Sequence, residues 1–271
     1  MPFIDLPLDQ LKTYRPPRNA VDDFDAFWLH TLNEARQQPL NPLLEEGDYP
    51  SRGVRVQKLT YTGWQGGRAS AWYILPEGEG PFPIMVVYHG YGGWRAEVHN
   101  HLAWILQGYG VLAVDTLAQS PDSMVAAHPG GLKGWMTVGL TDANVYYYRG
   151  AYVDAVRALD FLAERSEVQQ DRIGLTGVSQ GGGLTLAVAA LDSRPALAMP
   201  EVPYLCHYRR ALEIATAGPY LEIVEYLSRF PEQESQVLRT LTYFDNLNLA
   251  TRIKCPILMT VGLQDTICPP S

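Results

Sequence analysis

The six residues Gly177-Val178-Ser179-Gln180-Gly181-Gly182 constrain the fold of this chain more than any other part of it. They follow the apolar stretch Arg172-Ile173-Gly174-Leu175-Thr176 and run into an alanine- and leucine-rich segment from Leu184 to Leu191. Strand, Gly-x-Ser-x-Gly and helix in that order describe a nucleophile elbow, a turn sharp enough to strain the serine backbone. Small glycines on either side make the turn sterically possible. The spacing predicts that Ser179 presents its hydroxyl at a helix N-terminus, where the backbone N–H of Gln180 faces developing negative charge. Stripped of those flanks, the pattern describes a glycine-rich helix entry with a bystander serine equally well.

A second segment agrees with the first. Pro81-Phe82-Pro83 leads into Ile84-Met85-Val86-Val87-Tyr88 and then His89-Gly90-Tyr91-Gly92-Gly93, about ninety residues before the elbow. A buried strand ending in His-Gly-x-Gly-Gly is where the other oxyanion donor of an α/β-hydrolase sits, here the main-chain N–H of Tyr91. A third segment, Ile257-Leu258-Met259-Thr260-Val261-Gly262, reads as a late buried strand followed by Leu263-Gln264-Asp265. A triad in this fold runs Ser, acid, His, with the acid just past such a strand, so Asp265 is the candidate acid. The competing reading of Asp265 is a turn aspartate that caps the loop before Pro269-Pro270.

The serine also needs an imidazole to take its proton. All six histidines (His30, His89, His99, His101, His128, His207) precede Asp265, and only Thr266 to Ser271 follow it. The expectation is that the catalytic histidine lies beyond Ser271, with a last strand and helix of the fold. His207 is the internal alternative.

A chain of 271 residues suffices for one large α/β domain. A net charge of −8 argues against nucleic acid or an anionic membrane as partner. Cys206, Cys255 and Cys268 form neither a metal site nor a disulfide framework, which points to reduced thiols in a cytosolic protein; no cofactor is expected. No export peptide or membrane-spanning run is read at any point. His128-Pro129-Gly130-Gly131 reads as turn chemistry.

Asp22 to Arg36 has the spacing of an amphipathic helix, part of an N-terminal extension over residues 1–45. Val54–Thr62 and Ala69–Leu75 read as a hairpin at one sheet edge. From residue 83 onward buried strands alternate with helices: strands at 84–88, 110–115, 173–177 and from Leu197, helices near 98–107, 152–165 and from Gln180. That alternation predicts a doubly wound, mostly parallel sheet. Residues 204–252 read as a helical insertion rich in tyrosine and phenylalanine, lying above the strand C-termini where ligands bind in open α/β sheets.

On these motifs the chain resembles carbohydrate esterase family 7, the acetyl xylan esterases and cephalosporin C deacetylases. The resemblance covers nearly all of it, from Phe3-Ile4-Asp5-Leu6-Pro7-Leu8 through Gly134-Trp135-Met136-Thr137, Tyr146-Tyr147-Tyr148-Arg149-Gly150, Pro203-Tyr204-Leu205 and Gly262-Leu263-Gln264-Asp265. It implies Ser179 as nucleophile, Asp265 as triad acid, and the amides of Tyr91 and Gln180 as the oxyanion hole. It further implies removal of acetyl groups from small acetylated sugars and cephalosporin C, no metal, a cytoplasmic location, and hexamers built from dimers. Two departures stand out. Leu117-Ala118-Gln119 replaces the family's Arg-Gly-Gln, which removes a cation near the site, and the family's His-Glu after the acid is not among these residues. A serine peptidase of the prolyl oligopeptidase type and a catalytically silent hydrolase-like binding protein are the two rival readings.

Overall fold

The computed structural model describes residues 4–50, 52–120, 122 and 134–271. One seven-stranded sheet organises them. Its strands are β1 (Leu43–Glu46), β2 (Val54–Thr62), β3 (Arg68–Pro76), β4 (Phe82–Tyr88), β5 (Gly110–Val114), β6 (Val168–Val178) and β7 (Leu197–Glu201), in the spatial order β1-β2-β3-β5-β4-β6-β7. The last four in that order run parallel, and β1, β2 and β3 extend them antiparallel. The chain thus has the α/β-hydrolase architecture, and the C-terminal ends of β4, β5, β6 and β7 share one rim.

The parallel strands are apolar on both faces because both are covered. On β5, Leu112 and Val114 point into the larger core, while Val111 and Ala113 point into a smaller one with Val98 and Ile105. The larger core lies under α2 (Phe24–Arg36), α4 (Tyr147–Ala163) and α5 (Gln180–Leu191). Helix α2 buries Phe24, Trp28, Thr31 and Ala35, a stripe at helical spacing. Every residue of α5 is buried, which explains why its sequence is apolar all round. A short α1 (Leu8–Thr13) precedes α2, and the insertion carries α6 (Tyr208–Ile214), α7 (Tyr220–Arg229), α8 (Glu234–Phe244) and α9 (Asn246–Leu249).

Several expectations change. The β2–β3 hairpin is not the sheet edge, because β1 pairs outside it from Leu43↔Thr60 to Glu46↔Gln57. The helix expected near 98–107 is a 3₁₀ turn, Val98–His101, and a single helical turn α3 (Leu102–Ile105). Helix α4 begins at Tyr147, ahead of the expected start near 152, and takes in Tyr147 and Tyr148. The late strand is the largest difference. Residues 256–261 follow β7 through only two bridges, Ala198↔Ile257 and Glu201↔Thr260. They pair on that one side, so Ile257, Leu258, Met259 and Val261 are exposed, not buried. His128-Pro129-Gly130-Gly131 lies outside the described residues.

Candidate active site

Ser179 joins β6 to α5 with φ 57° and ψ −116°. Positive φ in a non-glycine residue costs on the order of 1–3 kcal/mol and persists only where its surroundings impose it. Here the imposition is dense. The Ser179 N–H donates to the Glu201 carbonyl at 2.9 Å, and its carbonyl accepts from Gly183 at 3.0 Å and Tyr204 at 2.9 Å. The flanking glycines are sterically required. A Cβ on Gly181 would overlap the Tyr88 carbonyl oxygen, and one on Gly177 would stand 2.6 Å from it. The elbow is therefore pressed against the end of β4, and only Gly-x-Ser-x-Gly fits.

The loop after β4 meets the elbow directly. A Cβ on Gly90 would stand 3.9 Å from the Ser179 Cβ. Among the described residues, neither the Tyr91 N–H nor the Gln180 N–H has an acceptor. Side chains hold this loop from several directions. The Thr116 N–H donates to His89 Nε2 at 2.9 Å, so Nδ1 carries the proton and donates to the Gly90 carbonyl at 2.8 Å. Burial lowers the His89 pKa, which keeps the ring neutral. Gln119 accepts from the Gly92 N–H at 2.9 Å through Oε1 and donates through Nε2 to Gln180 Oε1 at 2.8 Å. Gln180 Nε2 donates back to Gln119 Oε1 at 3.1 Å, and the Tyr148 hydroxyl donates to Gln180 Oε1 at 2.9 Å. The side chain of Gln180 is thus wholly engaged beneath the elbow, which leaves its backbone to face the site.

Asp265 sits at the border of the site without touching Ser179. Its Oδ1 accepts from the N–H groups of Ile267 at 2.8 Å and Cys268 at 2.9 Å, the geometry of a capped turn. That turn sets the Cys268 thiol 3.8 Å from Ser179 Oγ. Burial pushes the Cys268 pKa up to about 11, so the group stays a thiol at neutral pH. The sequence reading treats Cys268 only as a reduced thiol; its place three residues after Asp265 is the one signal that it borders the serine.

None of the described histidines hydrogen-bonds to Ser179 Oγ. His207 begins α6 at φ 44°, its N–H donating to Asp245 at 2.6 Å and its ring 6.0 Å from that of Tyr14. His101 contacts the Arg95 carbonyl, and His30 and His99 are exposed. Among the described residues no cluster of His, Cys, Asp or Glu side chains is assembled as a metal site requires.

A cation does lie beside this segment. The Arg95 guanidinium forms an ion pair with the buried Asp115 at the end of β5, and a second with Asp122 at 2.7 Å. It also lies over the Trp72 ring at 4.5 Å, and the Arg95 N–H donates to Asp115 at 2.8 Å. Leu117 is buried instead, beside Gly150 on α4. Ala118 takes the left-handed conformation at φ 55°.

Comparison with known proteins identifies the family and the fold. The family model described as acetyl xylan esterase (AXE1) matches residues 1–271. The acetyl xylan esterase from Paenibacillus sp. R4 superposes with a TM-score of 0.93 at 44% identity, over 98% of this chain and 87% of that one. Acetyl xylan esterase 1 from Thermoanaerobacterium sp. JW/SL YS485 gives 0.92 at 35%, over 98% and 86%. Acetyl esterase Axe7A of Xylanibacter ruminicola is 27% identical over 265 residues, which are 95% of this chain and 60% of Axe7A.

Proposed function

The chain belongs to the acetyl xylan esterase family, and from that premise we propose that it removes acetyl groups from small acetylated sugars through an acetyl-serine intermediate. Ser179 is the nucleophile in this reading. Its strained, exactingly packed turn, with two unpaired N–H groups beside it, is the observation that carries the proposal. The hydroxyl attacks the acetyl carbonyl, and the amides of Tyr91 and Gln180 receive the oxyanion. Each such donor is worth about 3 kcal/mol of transition-state stabilisation. The alcohol then leaves, and water releases acetate. By the resemblance, Asp265 is the triad acid, and the imidazole that takes the Ser179 proton follows it in the chain. Accepting two backbone N–H bonds is compatible with that role, since it fixes the carboxylate and leaves Oδ2 available.

The expected substrate joins a short acyl group to a sugar or fused-ring alcohol, and of the aromatic rings near the elbow Trp135, Tyr204 and Tyr220 are buried in the fold. Tyr91 meets Trp135 edge to face at 5.2 Å, and Tyr220 lies 3.9 Å from the ring of Tyr204, whose N–H bonds to Ser179. Xylo-oligosaccharide acetates and cephalosporin C are the substrates this family resemblance supports, as are a cytoplasmic location and a hexamer. A peptidase or a silent binding protein is less well supported, because the esterase family match runs the length of the chain.

Steady-state hydrolysis of p-nitrophenyl esters by the full-length protein tests the reading. Ser179→Ala is expected to lower kcat by several orders of magnitude, as removal of a triad nucleophile does. The wild type is expected to lose kcat/KM steeply from acetate to octanoate, the selectivity of a site built for acetyl. Equal rates for the two proteins, or a rate rising toward octanoate, would overturn it.

A further inference from the structure

We propose that Glu222, on helix α7 of the insertion, is a positioning residue for the oxyanion hole, acting through the side chain of Tyr91. The inference rests on the serine-esterase reading above. Tyr91 lies in the run Gly90-Tyr91-Gly92-Gly93, where Gly92 has φ 68°. Within the run a single turn bond, from the Gly93 N–H to the Gly90 carbonyl at 3.0 Å, stiffens a backbone otherwise rich in glycine, so the direction of the Tyr91 N–H depends largely on what grips the loop from outside.

Three grips are present. His89 holds the carbonyl of Gly90 and Gln119 holds the N–H of Gly92, so both act on the neighbours of residue 91. The third acts on residue 91 itself. The Tyr91 hydroxyl donates to the Glu222 carboxylate, 2.9 Å from Oε1 and 2.8 Å from Oε2. The same hydroxyl accepts from the Gly134 N–H at 3.2 Å, so its donor and acceptor capacity are both used. Trp135 packs against the ring from the side. A phenol bound to a carboxylate is a charge-assisted hydrogen bond, stronger than the neutral bonds that grip residues 90 and 92.

The Tyr91 ring is therefore a lever with its far end fixed to α7 and its near end carrying the oxyanion amide. The other two grips lead back to the sheet or the elbow. This one leads to the insertion, so the seating of α7 is linked to the aim of a donor N–H. Loss of the anchor leaves substrate recognition in place and lets the amide drift from the transition-state oxygen, which lowers kcat more than it raises KM.

The experiment compares full-length wild type, Tyr91→Phe, Glu222→Ala and Glu222→Gln in p-nitrophenyl acetate hydrolysis, with Ser179→Ala as reference. Glu222→Ala and Tyr91→Phe are expected to lose about 10–100-fold in kcat, with KM within about threefold of wild type. Glu222→Gln keeps a carbonyl acceptor for the phenol and is expected to recover most of that loss. The inhibition constant of methylboronic acid, which forms a tetrahedral adduct on an active serine, is expected to rise in step with the loss of kcat. Wild-type kcat in both Tyr91→Phe and Glu222→Ala would overturn the proposal. A Gln variant as impaired as the Ala variant would also overturn it. Thermal unfolding separates collapse from misalignment, and Tyr91→Phe, which keeps the ring, decides if Glu222→Ala does not fold. Full activity in Ser179→Ala would instead defeat the esterase reading.

Discussion

At the scale of single residues, the site is defined by what Ser179 is not allowed to do. Its φ of 57° is enforced by hydrogen bonds to Glu201, Gly183 and Tyr204 and by the contact of Gly181 with the end of β4. Glycine accepts that backbone without strain, whereas alanine does not. Replacing Ser179 by Gly should therefore give a more stable protein than replacing it by Ala. Strain of about 1–3 kcal/mol is relieved, against about 0.4–1 kcal/mol for the greater freedom of glycine in the unfolded chain. Denaturant unfolding of the two variants measures the difference, and equal stability would mean that the strain at the elbow is no greater than that entropic cost. This turn was legible in the sequence because its glycines are steric necessities that leave a pattern. The grip on Tyr91 was not. Glu222 lies 131 residues away from Tyr91, in a helix whose sequence reads as an ordinary amphipathic one.

At the scale of elements, legibility followed burial. Helix α5, strand β5 and the apolar centres of β4 and β6 are covered, so their apolar runs announce them. Strand β1 has only four residues, of which Leu43, Glu45 and Glu46 are exposed, and its sequence carries no period. Residues 256–261 erred in the opposite direction, since their apolar sequence suggested a covered strand where the structure has an exposed edge. The insertion reads as helical in the sequence, but the conformation of the segment that leads into it does not show there. Val202, Leu205 and His207 all take positive φ there, a conformation that side-chain patterns do not encode. Helix α7 adds a testable feature. It buries Tyr220 and Ile223 and exposes Leu221 and Val224, three residues apart on its outer side, with Phe230 just beyond its end. Apolar side chains clustered so are what an interface between copies of the chain would use. Light scattering on the full-length protein is expected to give a mass of several protomers, and Leu221→Glu with Val224→Glu to reduce it. A monomer at micromolar concentration would remove α7 as an interface.

At the scale of the whole molecule, one buried carboxylate couples folding to pH. Asp154 lies inside α4, 1% exposed, where Oδ1 accepts from the Trp64 N–H at 2.5 Å and Oδ2 has no hydrogen-bond partner. Gly63 packs so closely on this carboxyl that a Cβ there would stand 2.5 Å from Oδ1. Asp154 thereby fastens the β2–β3 connection to the helix that also carries the tyrosines under the elbow. Burial raises its pKa to about 7, with the Trp64 bond and the Arg157 charge only partly opposing the shift. The folded state thus holds a proton that the unfolded chain releases near pH 4. A raised carboxyl pKa contributes its full stability below the unfolded value, and the contribution is lost as pH rises through 7. Between pH 5 and pH 8 the wild type should lose about 2–3 kcal/mol on this account alone. Asp154→Asn keeps an acceptor for the Trp64 N–H and cannot ionise. Its stability relative to wild type should therefore improve by that amount over the same interval, the titration of every other group cancelling in the comparison. Urea unfolding of both proteins at pH 5, 6, 7 and 8 measures the difference. Parallel curves would show that Asp154 is charged in the folded protein throughout, with Arg157 as its effective counter-ion.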